Sequence, residues 1–412
     1  MKRVVVTGLG IVSPIGNDVP TFWENIKAGK HGIAPITRFD TSDMGVKLAA
    51  EVKDFDSSLC YDKKEARRTD LYTQYVVEAS RQALADAGTE FKEDDAFRVG
   101  VYVGTGIGGI NSLETEFTKF CEKGNSRVSP FAIPMLLSNM AAGGVAMRYG
   151  FKGTNFAIVS ACASSAHTVG EAFAAIKAGR LDAALAGGTE ASITKFTAAG
   201  FNNMKALSHS EDPDRASIPF DAERNGFVMG EGAAILVLEE LEHALARGAH
   251  IYAEVGGYGA TADAYHITSP DPSGEAASRA MIMAYTEAGA TADQIDYINA
   301  HGTSTGLNDK YETNAIKIAL GEENARKVNV GSTKSMTGHL LGAAGGLESV
   351  VCVKAIEEGF IPMTIGYKVK DESCDLNYTT EAPVQKEVRY ALSNSFGFGG
   401  HNGSLCFKKY EA

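Results

Sequence analysis

The 412-residue sequence has few features of a secreted or nucleic-acid-binding protein. Its six cysteines are scattered and include no CxxC pair, so neither a disulfide framework nor a zinc site of paired cysteines is indicated. Basic residues are in the minority, with 39 Lys and Arg against 51 Asp and Glu, and the net charge of -12 argues against a nucleic-acid partner. A reducing compartment fits this cysteine usage best, and we expect the protein to be cytoplasmic.

Long apolar runs are also absent. The longest uncharged stretch, residues 128–147, is interrupted by Pro134 and by Gly143-Gly144, so no membrane span is expected. The N-terminal run MKRVVVTGLG breaks at Gly8 after a few strand-like residues and lacks the pattern of a signal peptide. No Pro- or Ser-rich linker divides the chain, so its structural units must share a core.

Glycine (45 residues) and hydrophobic residues (44%) are abundant, and their order is that of an α/β protein. Short β-branched runs recur, each bounded by glycine and followed by an Ala-rich segment. A weak repetition relates residues 156–179 to residues 328–359, with Ile176 and Ile356 at matching places, and duplication of a half of roughly 200 residues would explain it. Helices that end just before a glycine are predicted over residues 63–87, 164–178, 275–288, 309–320 and 340–358.

Four polar residues in predicted strand-to-helix turns are candidates for catalysis. Cys162 precedes a helix of small residues, and the helix N-terminus lowers the pKa of a thiol there, which favours a thiolate nucleophile. His301 and His339 each follow a strand, where α/β proteins build their sites, and Lys334 shares the turn of His339. No two of the nine histidines have the HxxxH spacing of a zinc hydrolase. Each residue alone is consistent with a structural role, but together they indicate a catalytic site.

Two other motifs offer different interpretations. The GLG run near the N-terminus follows a strand, as in a dinucleotide-binding site, but Ser13 replaces the third glycine. Residues 302–306 satisfy the GxSxG pattern of α/β-hydrolases, with Ser304 as the nucleophile, although residues 307–309 are predicted as loop and N-cap where that motif requires helix.

Residues 393–403, rich in glycine and phenylalanine, are predicted either as an anion-binding lid or as a tight turn.

The motifs TGLGIVSPIG, SACASSAH, NAHGTST, STKSMTGHLLGAAGG and SNSFGFGGHNG span nearly the whole chain. In this order they resemble the motifs of the β-ketoacyl-acyl carrier protein synthases, the condensing enzymes of fatty-acid elongation, and most closely those of type II. The resemblance implies an α/β, thiolase-like fold of two duplicated βαβαβαβ halves in a five-layered αβαβα sandwich. The N-terminal half would be residues 1–250, with the nucleophile, and the C-terminal half residues 251–412, with two histidines, a lysine and a gatekeeper loop.

The resemblance also implies a role for each candidate. Cys162 corresponds to the acyl-accepting nucleophile, His301 and His339 to the pair that binds the malonyl thioester carbonyl, and Lys334 to the lysine that supports them. The amides of Cys162 and of Phe398, the gatekeeper, would form the oxyanion hole. Further substrate-binding positions are Thr303 and Thr305 for the phosphopantetheine arm, Ile107 at the floor of the acyl pocket, and Phe396. The implied reaction is the decarboxylative Claisen condensation of malonyl-carrier with an acyl chain on the cysteine, which lengthens a fatty acid by two carbons.

The family works as a homodimer with an acyl carrier protein, which presents acyl and malonyl phosphopantetheine thioesters. No cofactor is required, but a family cluster that can hold a structural metal cation corresponds to Asn299, Glu348, Ser393 and Asn394. Because carriers are acidic, basic docking residues are expected, and the candidates are Lys63, Lys64, Arg67, Arg68, Arg127 and Lys205. Asp62 and Glu65 dilute this charge, so a solvated helix face is the alternative. Gly306 stands where the family usually has proline, which would loosen the loop that carries both threonines.

Three other functions remain open from the sequence. A ketosynthase of a polyketide or specialised fatty-acid pathway shares every motif. A thiolase-like enzyme on CoA substrates has a second catalytic cysteine near its C-terminus, which the GFGGHNG run lacks. A chain-length subunit that binds but does not catalyse typically lacks the nucleophile, whereas this chain retains Cys162.

Overall fold

The computed structural model describes residues 2–92 and 95–411, in which strands and helices alternate. The strands are β1 (Val4–Val12), β2 (Ala34–Pro35), β3 (Leu48–Ala49), β4 (Val99–Gly104), β5 (Asn155–Ile158), β6 (Ala183–Glu190), β7 (Gly232–Glu240), β8 (Ala253–Ala262), β9 (Tyr297–Asn299), β10 (Asn329–Gly331), β11 (Phe360–Ile361), β12 (Val384–Gln385), β13 (Tyr390–Gly397) and β14 (His401–Lys408). The helices are α1 (Val19–Lys27), α2 (Lys63–Ala66), α3 (Leu71–Ala87), α4 (Ile110–Lys123), α5 (Ala132–Leu136), α6 (Met140–Tyr149), α7 (Ser164–Lys177), α8 (Lys195–Asn203), α9 (Leu241–Ala246), α10 (Glu275–Glu287), α11 (Gly306–Leu320), α12 (Glu322–Ala325), α13 (Lys334–Thr337) and α14 (Ala344–Glu358).

The large sheet consists of two five-stranded halves with the same topology. The first half has the order β5-β4-β6-β7-β1 and the second has the order β10-β9-β13-β14-β8. In each half the first three strands of this order are parallel and the last two pair antiparallel with their neighbours. The halves meet where Val5 and Val6 of β1 pair with Glu254 and Ala253 of β8. Duplication of one ancestral half produces this repeated order.

Helices on both faces of each half create five layers. Helices α3 and α6 pack on the outer face of the first half, and α10 and α11 on the outer face of the second. Between the halves, α7 and α14 contact each other and strands of both. Because α7 follows β5 and α14 follows β10, with Ile176 and Ile356 buried in the same central layer, the repetition in the sequence marks equivalent strand–helix units.

The single helix predicted over residues 63–87 is wrong, because the chain forms α2 and α3 there. Gln74 Nε2 donates to the carbonyl of Ala66 at 3.1 Å and satisfies an acceptor at the end of the first helix. The Asp70 carboxylate accepts the N–H of Tyr72 at 3.3 Å and caps the second. Local capping by side chains therefore outweighs the continuous helical spacing.

Two other predicted helix starts are also corrected. The helix expected over residues 309–320 begins at Gly306, with Thr305 as its N-cap residue. The helix expected over residues 340–358 begins at Ala344, after a short 3-10 turn. Within the described ranges, no helix is both long and apolar enough to cross a membrane.

Candidate active site

The segments that follow five strands of the sheet meet at one cavity of about 670 Å³. These segments come after β4, β5, β9, β10 and β13, as expected where the carboxyl ends of parallel strands share an edge. The predicted site residues that line the cavity are Ile107, Cys162, His301, Thr303, Thr305, His339, Phe396 and Phe398. Lys334 is buried behind it, with 1% of its side chain exposed.

Cys162 lies in a tight turn between β5 and α7. Ala161 has a φ of 50°, a left-handed conformation that costs a non-glycine residue roughly 1–3 kcal/mol. The N–H of Ala163 closes the turn on the carbonyl of Ser160 at 3.1 Å. Gly397 packs directly on this turn, since a Cβ there would lie 2.5 Å from the Ser160 oxygen. Only glycine therefore lets the end of β13 approach the nucleophile so closely.

The N–H groups of Cys162 and Phe398 donate to no backbone carbonyl among the described residues. Both residues line the cavity, and the contact of Gly397 with the cysteine turn keeps their segments together. Unpaired amides beside a nucleophile can stabilise an oxyanion, and each such donor is worth roughly 10²–10³ in rate. The arrangement suits the predicted oxyanion hole.

Cys162, His301 and His339 form a buried cluster. The Cys162 Sγ and one nitrogen of each imidazole all lie within 4.8 Å of one another. Burial, together with the Lys334 ammonium, lowers the pKa of His301 and of His339 well below the ordinary histidine value, so both rings are neutral at pH 7. Nδ1 of His301 and both nitrogens of His339 have no partner among the described residues. The three residues have the geometry to bind a metal ion, but they also provide a nucleophile with two neutral hydrogen-bonding groups.

The prediction that Cys162 rests as a thiolate is wrong in this structure. Burial raises the pKa of the Cys162 thiol to about 12, and the Lys334 ammonium only partly opposes this effect, while the carboxyl groups of Glu190 and Glu348 add to it. The helix that was expected to lower the pKa begins at Ser164, two residues further on. Burial therefore opposes formation of the thiolate, and a neutral imidazole within 4.8 Å can accept the thiol proton.

Lys334 and Glu348 form a buried ion pair behind the histidines. Lys334 Nζ donates to Glu348 Oε1, and each side chain is only 1% exposed. Burial raises the pKa of Glu348 to about 7, against the effect of the ammonium. Removing one partner of such a pair leaves an unpaired buried charge and costs about 3–5 kcal/mol. Loss of Lys334 alone would therefore destabilise the fold, and its charge adds to the effect of burial in keeping the histidines neutral.

Glu312 of α11 is a site residue that the sequence analysis missed. Its carboxylate accepts the N–H groups of His301 and Gly302, both at 2.8 Å, and the side-chain amide of Asn394 at 3.2 Å. Burial raises its pKa to about 7. These bonds fix the course of the chain at His301. An acidic residue on the buried face of an amphipathic helix, one turn before the buried Ile316, was the available signal.

Glu190, at the end of β6, holds the floor of the cavity and was also missed. It accepts the N–H groups of Gly106 at 2.6 Å, Gly342 at 3.0 Å and Ile107 at 3.3 Å. Burial raises the pKa of this carboxyl group. The loop that carries Ile107 is thereby tied to the turn that precedes α14.

Three side-chain oxygens of the predicted cation cluster are available as ligands. Asn299 Oδ1, Glu348 Oε2 and Ser393 Oγ are buried and have no partner among the described residues. Hard cations take such oxygen ligands. The fourth predicted member, Asn394, differs from these three because its Oδ1 accepts from the Ser404 hydroxyl at 2.9 Å.

Ser304 is not placed as a hydrolase nucleophile. It is fully buried, it does not line the cavity, and its Oγ accepts the N–H of Ile218 at 2.9 Å. Two features do match a nucleophile elbow: the left-handed φ of Ser304, 68°, and the start of α11 at Gly306, which the sequence analysis had placed later. The hydroxyl is nevertheless directed into the protein, so the GxSxG match is incidental.

The predicted docking residues are all exposed. Lys205 lines the cavity. The guanidinium of Arg68 stacks on the ring of Phe131 at 4.6 Å, next to the segment that contains Arg127. The exposed basic residues are Lys63, Lys64, Arg67, Arg68, Arg127 and Lys205.

Comparison with known families finds two matches that together cover most of the chain. Residues 1–244 match the beta-ketoacyl synthase N-terminal domain, and residues 252–368 match the beta-ketoacyl synthase C-terminal domain. A 3-oxoacyl-[acyl-carrier-protein] synthase 2 from Synechocystis sp. is 52% identical over 100% of this chain and 99% of the relative. A protein of the same name from Staphylococcus aureus is 50% identical with the same coverage.

Solved structures with the same fold cover the whole chain. An ishigamide ketosynthase/chain length factor superposes with a TM-score of 0.93 at 35% identity, covering 100% of both chains. A type II polyketide ketosynthase in complex with its acyl carrier protein gives 0.92 at 34%, and a beta-ketoacyl synthase from Burkholderia phymatum gives 0.91 at 34%, with the same coverage. These matches and the repeated topology confirm the predicted thiolase-like α/β fold.

Proposed function

The chain belongs to the β-ketoacyl synthase family and is a fatty-acid elongating condensing enzyme, an acyltransferase, and from this premise we propose how its site works. The observation that carries the proposal is the buried thiol of Cys162 within 4.8 Å of two neutral imidazoles, in one cavity. The identity of 50–52% to proteins named 3-oxoacyl-[acyl-carrier-protein] synthase 2, against 34% to a type II polyketide ketosynthase, favours fatty-acid elongation over the polyketide alternative.

The first half-reaction transfers the acyl chain to the enzyme. A neutral imidazole accepts the proton of the Cys162 thiol, and the sulfur attacks the thioester carbonyl of the acyl carrier. The amides of Cys162 and Phe398 stabilise the tetrahedral oxyanion. The carrier thiol leaves with a proton, and the acyl chain remains on the cysteine above the pocket that ends at Ile107.

The second half-reaction extends the chain. The malonyl thioester carbonyl accepts hydrogen bonds from His301 and His339, both neutral and therefore donors without a competing charge. Loss of CO₂ leaves the bonding electrons on the enolate, which attacks the acyl-cysteine carbonyl and expels the Cys162 thiolate. The thiolate then takes up a proton from water and restores the thiol. The test is incubation with acyl-carrier and malonyl-carrier, which should yield CO₂ and a 3-oxoacyl-carrier two carbons longer in equal amounts. CO₂ without the longer product would contradict the proposal.

No cofactor is proposed for the chemistry, but a structural cation suits the cluster behind the site. Asn299, Glu348 and Ser393 would hold it through their unpartnered oxygens. The ion would offset the buried charge near Glu348 and rigidify the ends of β9 and β13.

The partner that delivers both substrates is an acyl carrier protein, and we propose that it docks on the basic residues near Arg68. Replacing Arg67 and Arg68 by glutamate should raise the KM for the carrier by about ten-fold at low salt, because exposed charges act mainly on encounter and are screened by salt. Steady-state kinetics at low and high salt measure this effect. The difference from the wild type should shrink at high salt.

A control for this experiment uses basic residues elsewhere on the surface. Lys327 and Lys409 are exposed, with 68% and 46% of their side chains accessible, and neither lines the cavity. Replacing both by glutamate changes the net charge equally and should leave the KM within about two-fold. Equal effects of the two double variants would remove the Arg67 and Arg68 surface from the docking model.

We also propose that the enzyme is a homodimer. Strand β5 is the last strand at one edge of the ten-stranded sheet. Its Phe156 is 57% exposed, and Val159, the residue after the strand, is 54% exposed. Pairing of two β5 strands would cover this apolar edge. Sedimentation equilibrium should give twice the 43.6 kDa of one chain, and Phe156→Asp should shift the mass toward one chain. A wild-type mass of 43.6 kDa would contradict the dimer.

Two further predictions of the sequence analysis are retained as proposals. Residues 1–250 and 251–412 are proposed as the duplicated halves, supported by their identical strand order. A cytoplasmic location is proposed, supported by the six cysteines, all of which are described and free.

A further inference from the structure

The loop of residues 303–306 joins the His301 segment to α11, and its own sequence restrains it poorly. Thr303 and Thr305 line the cavity and share a hydrogen bond of 3.0 Å between their Oγ1 atoms. Between them, Ser304 adopts a φ of 68°, which costs a non-glycine residue roughly 1–3 kcal/mol. Gly306, the first residue of α11, has no side chain, and a Cβ there would touch nothing within 4 Å. The N–H of Asp309 in α11 reaches the Thr305 carbonyl at 3.4 Å, and contacts from other segments add to this restraint.

Residues 218–226 run beside the loop and provide these contacts. The N–H of Ile218 donates to Ser304 Oγ at 2.9 Å, and the N–H of Gly226 donates to the Ser304 carbonyl at 3.0 Å. Both bonds stabilise the strained residue between the two threonines. The second bond also holds the peptide group that joins Ser304 to Thr305, but neither bond reaches the two peptide groups that follow Thr305.

Arg224 of the same segment restrains those peptide groups. Its Nε donates to the carbonyl of Thr305 at 3.1 Å, and its Nη2 donates to the carbonyl of Gly306 at 3.2 Å. The planar guanidinium can bind two successive carbonyls at once, which a lysine ammonium cannot do in the same geometry. Arg224 itself does not line the cavity.

The guanidinium is held rigidly although it lies beside a helix N-terminus, where a positive charge is unfavourable. Its side chain is 4% exposed, and Nη1 donates to Asp371 at 2.6 Å and to the carbonyl of Asp221 at 2.7 Å. The carboxylate of Asp309, in the first turn of α11, lies 3.6 Å from Nε. These two acidic side chains offset the helix dipole and fix the direction of the donors.

We propose that Arg224 is a positioning residue for the substrate arm: through the carbonyls of Thr305 and Gly306 it fixes the orientation in which Thr303 and Thr305 meet phosphopantetheine. The proposal rests on the proposed function, because it assumes that these threonines bind the arm. It also explains how the loop keeps its shape with glycine at position 306, since an external clamp replaces the internal restraint of a proline.

The test compares one acyl group on two thiols. Acylation of Cys162 by octanoyl-pantetheine and by the octanoyl thioester of ethanethiol, which lacks the arm, is followed by intact mass. Arg224→Lys should lower kcat/KM for the pantetheine thioester by about ten-fold, since charge-assisted bonds to the loop are lost. The ethanethiol thioester should react within about two-fold of the wild-type rate. A merely structural role would lower both rates alike.

Arg215 provides the matched control. It lies near the same segment and binds Asp221 and the carbonyl of Gly366, but it has no hydrogen bond to residues 303–306. Arg215→Lys should not change the ratio of the two rates. If Arg224→Lys does not fold, Asp371→Asn, which loosens Arg224 without removing it, should lower the same ratio by a smaller factor.

A rescue variant tests the loop directly. Thr305 has an extended conformation, with φ of -103° and ψ of 149°, which is compatible with a following proline, and proline is favoured at the first position of a helix. In the Arg224→Lys background, Gly306→Pro should raise kcat/KM for the pantetheine thioester about three-fold. An unchanged ratio in Arg224→Lys, or equal loss for both thioesters, would overturn the proposal. A wild-type enzyme that reacts with neither thioester would instead refute the proposed function.

Discussion

Cys162→Ala is expected to lower condensation by about 10⁴-fold or more while malonyl decarboxylation continues, because the acyl acceptor is lost but the two-histidine site remains. Cys162 and the histidines lie on different segments, after β5, β9 and β10, so removing the sulfur leaves the His301 backbone bound to Glu312 and both imidazoles neutral. The measurement is the release of CO₂ from malonyl-carrier alongside the yield of 3-oxoacyl-carrier.

The matched control for this variant is Cys121→Ala, since Cys121 is an exposed free thiol on α4 and does not line the cavity. It should keep wild-type rates of both reactions. Thermal unfolding of both variants shows whether the fold is intact. If Cys162→Ala still condenses at more than a few per cent of the wild-type rate, the sulfur is not the acyl acceptor.

His301→Ala is expected to lower condensation by about 10²–10³-fold, because one of two donors to the malonyl thioester carbonyl is lost where the enolate charge develops. Acylation of Cys162 should persist, since the neutral imidazole of His339 can still accept the thiol proton. Separate rates of acylation, by intact mass, and of condensation, by product yield, distinguish these effects.

His250→Ala is the control, because His250 is exposed, with 60% of its side chain accessible, and it does not line the cavity. Its rates should match the wild type. Unchanged condensation in His301→Ala would remove His301 from the chemistry. Equal loss of acylation and condensation would assign it to proton transfer from the thiol instead of to the malonyl carbonyl.

The convergence of the site could be predicted from sequence because it follows a rule of the fold. Cys162 and His301 come shortly after β5 and β9, and His339 follows β10 after the short helix α13; the strand ends of an α/β sheet share an edge. The weak repetition at Ile176 and Ile356 also marked equivalent units, since both lie in the central helix layer. Such local patterns are sufficient to place residues on an edge.

The supporting residues could not be predicted in this way, because their partners are distant in the sequence. Glu190 reaches Gly342 across 152 positions, and Arg224 reaches Thr305 across 81. The error in the thiol pKa of Cys162 has a similar origin. The helix dipole is a local effect visible in the sequence, whereas desolvation depends on everything that packs around the sulfur.

The start of α11 shows the reverse case, where a local signal was misleading. Asp309 was predicted as the N-cap because acidic residues favour that position. In the structure its carboxylate accepts the N–H of Phe220 at 2.9 Å and lies near Arg224, so it serves a tertiary contact, and the helix begins three residues earlier. A side chain with two uses cannot be assigned to one of them from sequence alone.

The central claim is that Cys162 carries the acyl chain, and one measurement tests it most directly. The enzyme is incubated with a long-chain acyl-carrier protein in the absence of malonyl-carrier, digested, and analysed by mass spectrometry. We expect a single acyl adduct on the peptide that contains Cys162. An adduct on Ser304 or on another cysteine, or no adduct at all, would contradict the account.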